Sequence, residues 1–318
     1  MAQDYEVVVV GGGLAGLTAG LFAARYGRTT LVLEPQMPGG HLANVEKVED
    51  FPGFPEGVAG YELGPSVQEQ AANEGAELRL AGLQRLEPVE GGWLVTTDEG
   101  QYRAESVIVA AGSRPRELGV PGERRLYGRG VSHCASCDGP LFRDQKVGVV
   151  AEDAWALQEA LTLMSYASEV VLFHRSDAVA GQHRNRQRVV DHAKVTLRPN
   201  TAVEEVLGED VVSGVRVRHT ATGQEGRVEL AGLFVYAGLE PNTALLRGLL
   251  RLDEDGRVPT DIWMRTERPG LLAAGDIRRD SASQAITAAG DGATAAIAAH
   301  RYLEDSSWPG LTTAERKA

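Results

Sequence analysis

The chain of 318 residues carries 32 Lys and Arg against 44 Asp and Glu, a formal charge of −12, and its 43% hydrophobic and 24% charged content is that of a folded globular protein. Its length allows two domains at roughly 100–200 residues each. Composition excludes a disordered chain and collagen-like repeats, and the acidity, without any Lys/Arg-rich block, excludes an extended nucleic-acid surface or anchoring to anionic lipid.

In chain order, Glu6–Val10 is a β-branched run read as a buried strand, followed by Gly11 to Gly16, a helix to about Tyr26 and a second strand over Thr29–Glu34. The pattern returns with a strand over Lys146–Val150, a helix from about Ala154 to Tyr166 and a strand over Glu169–His174. Two such starts predict an α/β chain with two Rossmann-like, dinucleotide-binding-type domains and parallel sheets. Shorter strands are expected at Trp93–Thr97 and Val211–Val217. A βα unit follows at Leu271–Asp276, with an Ala-rich helix around Ile286–Leu303 and a loosely ordered tail from Ser306. No apolar run approaches the roughly 18 residues of a membrane span, and Met1–Tyr5 lead into a strand without a signal region, which places the chain in the cytoplasm.

Gly11, Gly13 and Gly16 read as G-x-G-x-x-G between strand and helix, and Glu34 closes the next strand. The first glycine allows the tight turn, the second lets backbone approach a pyrophosphate, and the third lets helix pack on strand. The helix start offers free amides to phosphate, and Glu34 would accept from a ribose hydroxyl while repelling a 2′-phosphate. FAD or NAD is therefore favoured over NADP at this turn.

The two cysteines of the chain, Cys134 and Cys137, form a C-x-x-C just before the second βαβ unit. Such a pair closes a small disulfide ring and stores two electrons reversibly. Half a zinc site with His133 as third ligand, or an inert buried pair, are the rival readings, and the sequence offers no second ligand pair. Asp138 is placed to shuttle a proton beside Cys137 or to cap a turn.

Taken with Pro38–Leu42, Phe51–Gly53, Val109–Ser113, Phe234–Asn242, Ala274–Asp276 and Gln284–Gly292, these segments resemble, in order and over nearly the whole chain, the low-molecular-weight thioredoxin reductases. The resemblance implies an FAD domain built from residues 1–115 and 241–318, a module inserted over 116–240 that carries the C-x-x-C, and a homodimer. It implies that Cys137 lies against the flavin, that Cys134 attacks the substrate disulfide, and that Asp138 handles the proton. Gly40, His41, Leu42, Asp50, Ala111, Gly112, Gly275 and Asp276 would then line the FAD site, with Asp276 on the ribityl chain and the helix start at Gln284, Ala285 and Ile286 steadying the reduced ring. His41 stands where Gln is common, and Asp50 where Asn is common.

The inserted module departs from the family. Its glycine turn aligns with Ala151-Glu152-Asp153-Ala154-Trp155-Ala156, with every glycine replaced and two carboxylates where a pyrophosphate would approach. A like-charge contact at about 4 Å is worth about 4 kcal/mol at an effective dielectric of about 20, or roughly 10³ in affinity. The family's paired arginines become Arg175-Ser176, although Arg184, Arg186 and Arg188 follow. The expectation is an FAD disulfide oxidoreductase with a degenerate NADPH site, fed by ferredoxin or a second stacked flavin, and acting on a thioredoxin-like protein or a small disulfide. Arg184, Arg186 and Arg188 are a candidate dock for an acidic carrier. The alternatives are an NADPH-dependent thioredoxin reductase, a small-molecule dithiol oxidase, and a non-enzymatic flavin-binding module.

Overall fold

A computed structural model describes residues 2–309. They fall into two compact units, one made from both ends of the chain, up to Arg114 and from Glu240, and the other from Pro115–Leu239.

In the first unit, β1 (Gln3–Val10), α1 (Leu14–Arg25) and β2 (Thr30–Glu34) form the opening βαβ unit, followed by α2 (Gly60–Asn73), β3 (Glu77–Leu80), β4 (Leu83–Val89), β5 (Gly92–Thr97) and β6 (Gln101–Val109). The sheet runs β3-β2-β1-β6-β5-β4. The β1 valines pair in parallel with β2 on one side and β6 on the other, Val8 lying opposite Leu31 and Val107. Alternation of side chains along a strand explains why this run carries no polar residue. Val8 and Val10 pack into one core layer with Leu31, Leu33 and Leu271, while Val7 and Val9 enter another with Ala19, Ile108 and Ala299. Full burial of each valine contributes about 1.5–3 kcal/mol.

The chain leaves this unit through β7 (Ser113–Pro115) and returns through β16 (Leu239–Pro241). Between them lie β8 (Val131–Ser132), α3 (Ala135–Asp138), β9 (Lys146–Ala151), α4 (Trp155–Met164), β10 (Glu169–Phe173), α5 (His183–Val190) and β11 (Val195–Arg198). A meander of β12 (Thr201–Leu207), β13 (Gly214–His219) and β14 (Glu225–Glu229) follows, then β15 (Gly232–Tyr236). The five-stranded sheet has the order β11-β10-β9-β15-β8. Its β9 valines divide as those of β1 do, Val147 and Val149 packing with α4 and Val150 with the meander side. Back in the first unit, β17 (Leu271–Ala273) joins β6, and α6 (Ala285–Asp305) packs along α1.

Two expectations are corrected. The strand expected from Val211 begins at Gly214, because the turn through Gly208, whose φ is +139°, directs the Val212 amide to Arg129 and the Ser213 amide to Leu207. The tail does not loosen at Ser306. That residue takes a left-handed conformation that ends α6, and Trp308 returns to donate from its indole to the Thr266 carbonyl at 3.1 Å. The rest of the tail, from residue 310, lies outside the described residues. Among the described residues, no helix is long and apolar enough to cross a membrane.

Candidate functional site

The glycine turn of the first unit is built by close approaches that leave no room for side chains. A Cβ on Gly11, whose φ is +108°, would meet the Ala110 carbonyl oxygen at 2.3 Å, and one on Gly16 would meet the Gly11 oxygen at 1.8 Å. Gly13, at the start of α1, is open by contrast, with only the Gly40 Cα at 4.0 Å. No side chain caps α1, and its first turn holds no acidic residue. The Glu34 carboxylate turns toward this loop and accepts from the Gly12 amide at 2.7 Å and the Gln36 amide at 2.9 Å. An open helix start beside a backbone-lined turn fits a dinucleotide pyrophosphate.

Several of the other residues expected at an FAD site lie against this turn. The Gly39 amide donates to the Gly12 carbonyl, and Gly40 stands against Gly13. From the next position, the His41 Nε2 is 2.6 Å from the Ser113 carbonyl oxygen, and Leu42 is buried. The Ser113 hydroxyl in turn donates to Asp276 at 3.1 Å. Burial pushes the Asp276 carboxyl up, against the Ser113 hydrogen bond. Ala111 and Gly112 carry carbonyls that accept from the Asn242 side chain and backbone. Gly275 donates to Asp291, which also receives a two-pronged contact from Arg278. Gln284 is exposed at the start of α6, in a reciprocal cap with Thr287, and is followed by Ala285 and Ile286. Asp50 is exposed in a bend further along. Ser113, Asn242 and Asp291 fall in segments that carry the resemblance but were assigned no role there, and Arg278 lies outside those segments. Asp291, acidic within an Ala/Gly-rich helix, was the one whose charge could have revealed it.

In the second unit, Cys134 and Cys137 form a disulfide, with Cα atoms 5.3 Å apart. Sulfurs bonded to each other are not zinc ligands in this state, and among the described residues no group of three His, Cys, Asp or Glu is placed to hold a metal. Cys134 caps α3, its Sγ accepting from the Cys137 amide at 3.1 Å. Asp138 closes that turn, its amide donating to the Cys134 carbonyl. His133 is half-buried against Tyr127, and burial pulls its ring below the usual histidine range. Sequence reasoning also missed a pair beneath the turn: the Glu159 carboxylate accepts from the Ala135 amide at 3.1 Å and from the Tyr236 hydroxyl at 3.0 Å. Glu159 shares a buried helical stripe with Ala156, Ala160 and Leu163, and a charge on such a stripe was the available signal.

The second dinucleotide-type turn is filled from within. Asp153 accepts from the Trp155 and Ala156 amides at 3.0 and 3.1 Å through one oxygen, and from the Gly238 amide at 3.1 Å through the other. Glu152 lies 3.6 Å from Arg175. Burial pushes both carboxyls up from their ordinary values. Arg184, Arg186 and Arg188 are exposed on α5.

A glycine-lined α/β cradle in one unit and a two-cysteine disulfide on a helix start in the other define a flavin disulfide oxidoreductase. The chain belongs to the pyridine nucleotide-disulphide oxidoreductase family, whose model matches residues 5–292, and within it is of the thioredoxin reductase kind. It is 39% identical over 305 residues to the thioredoxin reductase of Mycolicibacterium smegmatis, covering 95% of this chain and 97% of that one. The Treponema pallidum thioredoxin reductase is 36% identical over 304 residues, with 96% and 99% covered. The crystal structure of Lactococcus lactis thioredoxin reductase is similar with a TM-score of 0.93 at 34% identity, over 95% of this chain and 99% of that one.

Proposed function

We propose that the chain carries electrons from a soluble donor, through FAD held in its first unit, to the Cys134–Cys137 disulfide and then to the disulfide of a thioredoxin-like protein. The observation that carries this is the disulfide itself, seated where the Cys137 amide stabilises the Cys134 sulfur. The FAD-binding unit is then 1–115 with 241–318, and the module over 116–240 carries the dithiol, in a cytoplasmic homodimer. Gly11, Gly13 and Gly16 would hold the pyrophosphate, Glu34 the adenosine ribose and Asp276 the ribityl chain. Gly40, His41, Leu42, Asp50, Ala111, Gly112 and Gly275 would frame the site, and Gln284, Ala285 and Ile286 would face the ring. FAD, when bound, supplies a two-electron carrier that no side chain provides. Cys134 attacks the substrate disulfide, Cys137 resolves the mixed disulfide, and the Asp138 carboxylate moves the proton between thiol and departing sulfur.

For the donor, the family's own description and relatives carrying the plain thioredoxin reductase name support NADPH. This alternative therefore stands ahead of a ferredoxin or a second flavin. One observation favours the NADPH-independent reading: Asp153 already occupies amides that a pyrophosphate would need. Anaerobic mixing of the FAD-loaded chain with NADPH decides between them. Bleaching of the flavin band at micromolar NADPH is the result expected of the first reading. No bleaching by NADPH, but bleaching by reduced ferredoxin, would overturn it in favour of the second.

A further inference from the structure

Behind the redox pair lies a buried polar group that the proposed cycle does not use. Glu159 is 6% exposed, Tyr236 8% and Ala135 0%. Both the Ala135 amide and the Tyr236 hydroxyl converge on the same Glu159 oxygen, at 3.1 and 3.0 Å. Two donors on one oxygen use both of its lone pairs, and the Glu159 charge adds to burial in raising the Tyr236 hydroxyl. Ala135 follows Cys134 directly, so this acidic group sits immediately beneath the turn on which the sulfurs meet. Burial in a protein interior requires such a group to be bonded, and a buried charge still acts strongly on its neighbours.

We infer that Glu159 is a positioning residue for the redox pair, one that ties the Ala135 amide to the core and holds the Cys134–Cys137 couple strongly reducing. Opening the disulfide takes up two electrons and, depending on pH, one or two protons, so a sulfur can remain as thiolate. Whatever stabilises that thiolate stabilises the reduced state and makes the couple more oxidising. The Cys137 amide, donating to the Cys134 sulfur, acts in that direction. Glu159 acts against it in two ways: it withdraws the Ala135 amide from the sulfur side, and its charge disfavours a second negative charge nearby. The Tyr236 hydroxyl keeps the carboxylate in place, and burial beside Glu159 pushes that hydroxyl well above its ordinary value. Other titratable groups around the turn are His133 and Asp138 on its own segment and Asp153 at the start of α4, which also acts on Tyr236. The inference rests on the reading of Cys134 and Cys137 as the working couple.

The test compares the FAD-loaded full chain with E159Q, E159A and Y236F. The couple is equilibrated with dithiothreitol redox buffers and trapped, and the pH midpoint of thiol alkylation is measured. E159Q, which keeps shape and an acceptor oxygen but not the charge, is expected to lower the alkylation midpoint by about one unit. Above that midpoint it should shift the equilibrium toward dithiol by up to about tenfold. E159A should move both readouts at least as far. Should E159A fail to retain FAD, E159Q carries the test alone, and Y236F, which leaves the Ala135 bond, should shift both readouts in the same direction but less. An E159Q couple with wild-type equilibrium and midpoint would overturn the inference while leaving the function intact. A disulfide that no buffer reduces in wild type, E159Q or E159A would overturn both.

Discussion

Gly13 and Asp153 each stand where a buried parallel strand turns into a helix, and they leave those helix starts in opposite states. Gly13 presents bare backbone, whereas Asp153 answers the amides with its own carboxylate. Replacing Asp153 with glycine costs only a few tenths of a kcal/mol of capping, and frees three amides. NADP⁺ binding by calorimetry should tighten about tenfold or more in D153G; an unchanged Kd would contradict the internal-ligand account. The pH dependence has a defined sign. Burial raises the Asp153 and Glu152 carboxyls, so lowering the pH neutralises them sooner than ordinary carboxyls, and wild-type affinity for NADP⁺ should rise as the pH falls. That slope should flatten in D153N. Because the folded carboxyl holds its proton more tightly than the unfolded one, its protonation also favours the fold. That contribution is present below the ordinary carboxylate range and lost as pH rises through the raised value.

Elements follow the same logic of close approach. Helices α1 and α6 meet through small residues, and a Cβ on Gly292 would meet the Ala15 carbonyl oxygen at 2.0 Å, a backbone atom that cannot swing aside. G292A should therefore lower stability by about 1–3 kcal/mol, read as a lower Tm and reduced FAD retention. Gly290, two positions earlier on the same helix, faces open space, and G290A should be neutral or stabilising by up to about 1 kcal/mol. Equal losses in the two variants would contradict the packing assignment. The βαβ units were legible in the sequence because strands buried on both faces leave uninterrupted valine runs. The start of β13 was not, because Val211 and Val212 continue the β-branched pattern while the backbone turns, and only long-range amide partners reveal that. The Glu159–Tyr236 pair stayed hidden for a similar reason, since its two members lie on separate elements, α4 and β15, that sequence spacing does not bring together.

At the scale of the whole molecule, two nucleotide-type sheets share one design, with valines of the central strand feeding core layers on both faces, and differ in what their first turns offer. The cysteine turn, the glycine cradle and the acidic second turn could each be read from residue types alone. Which polar groups lock them could not, because Ser113, Asn242 and Asp291 reach their partners across more than a hundred residues or between loop and helix. In the proposed cycle, electrons pass within one chain between a flavin and the Cys134–Cys137 disulfide. The most direct test of that transfer is an anaerobic reductive titration of the FAD-loaded protein, counting electrons taken up per flavin. The wild-type chain should accept twice as many electrons as flavin alone, and the Cys134→Ser/Cys137→Ser variant half the wild-type number. Equal uptake by the two proteins would contradict it.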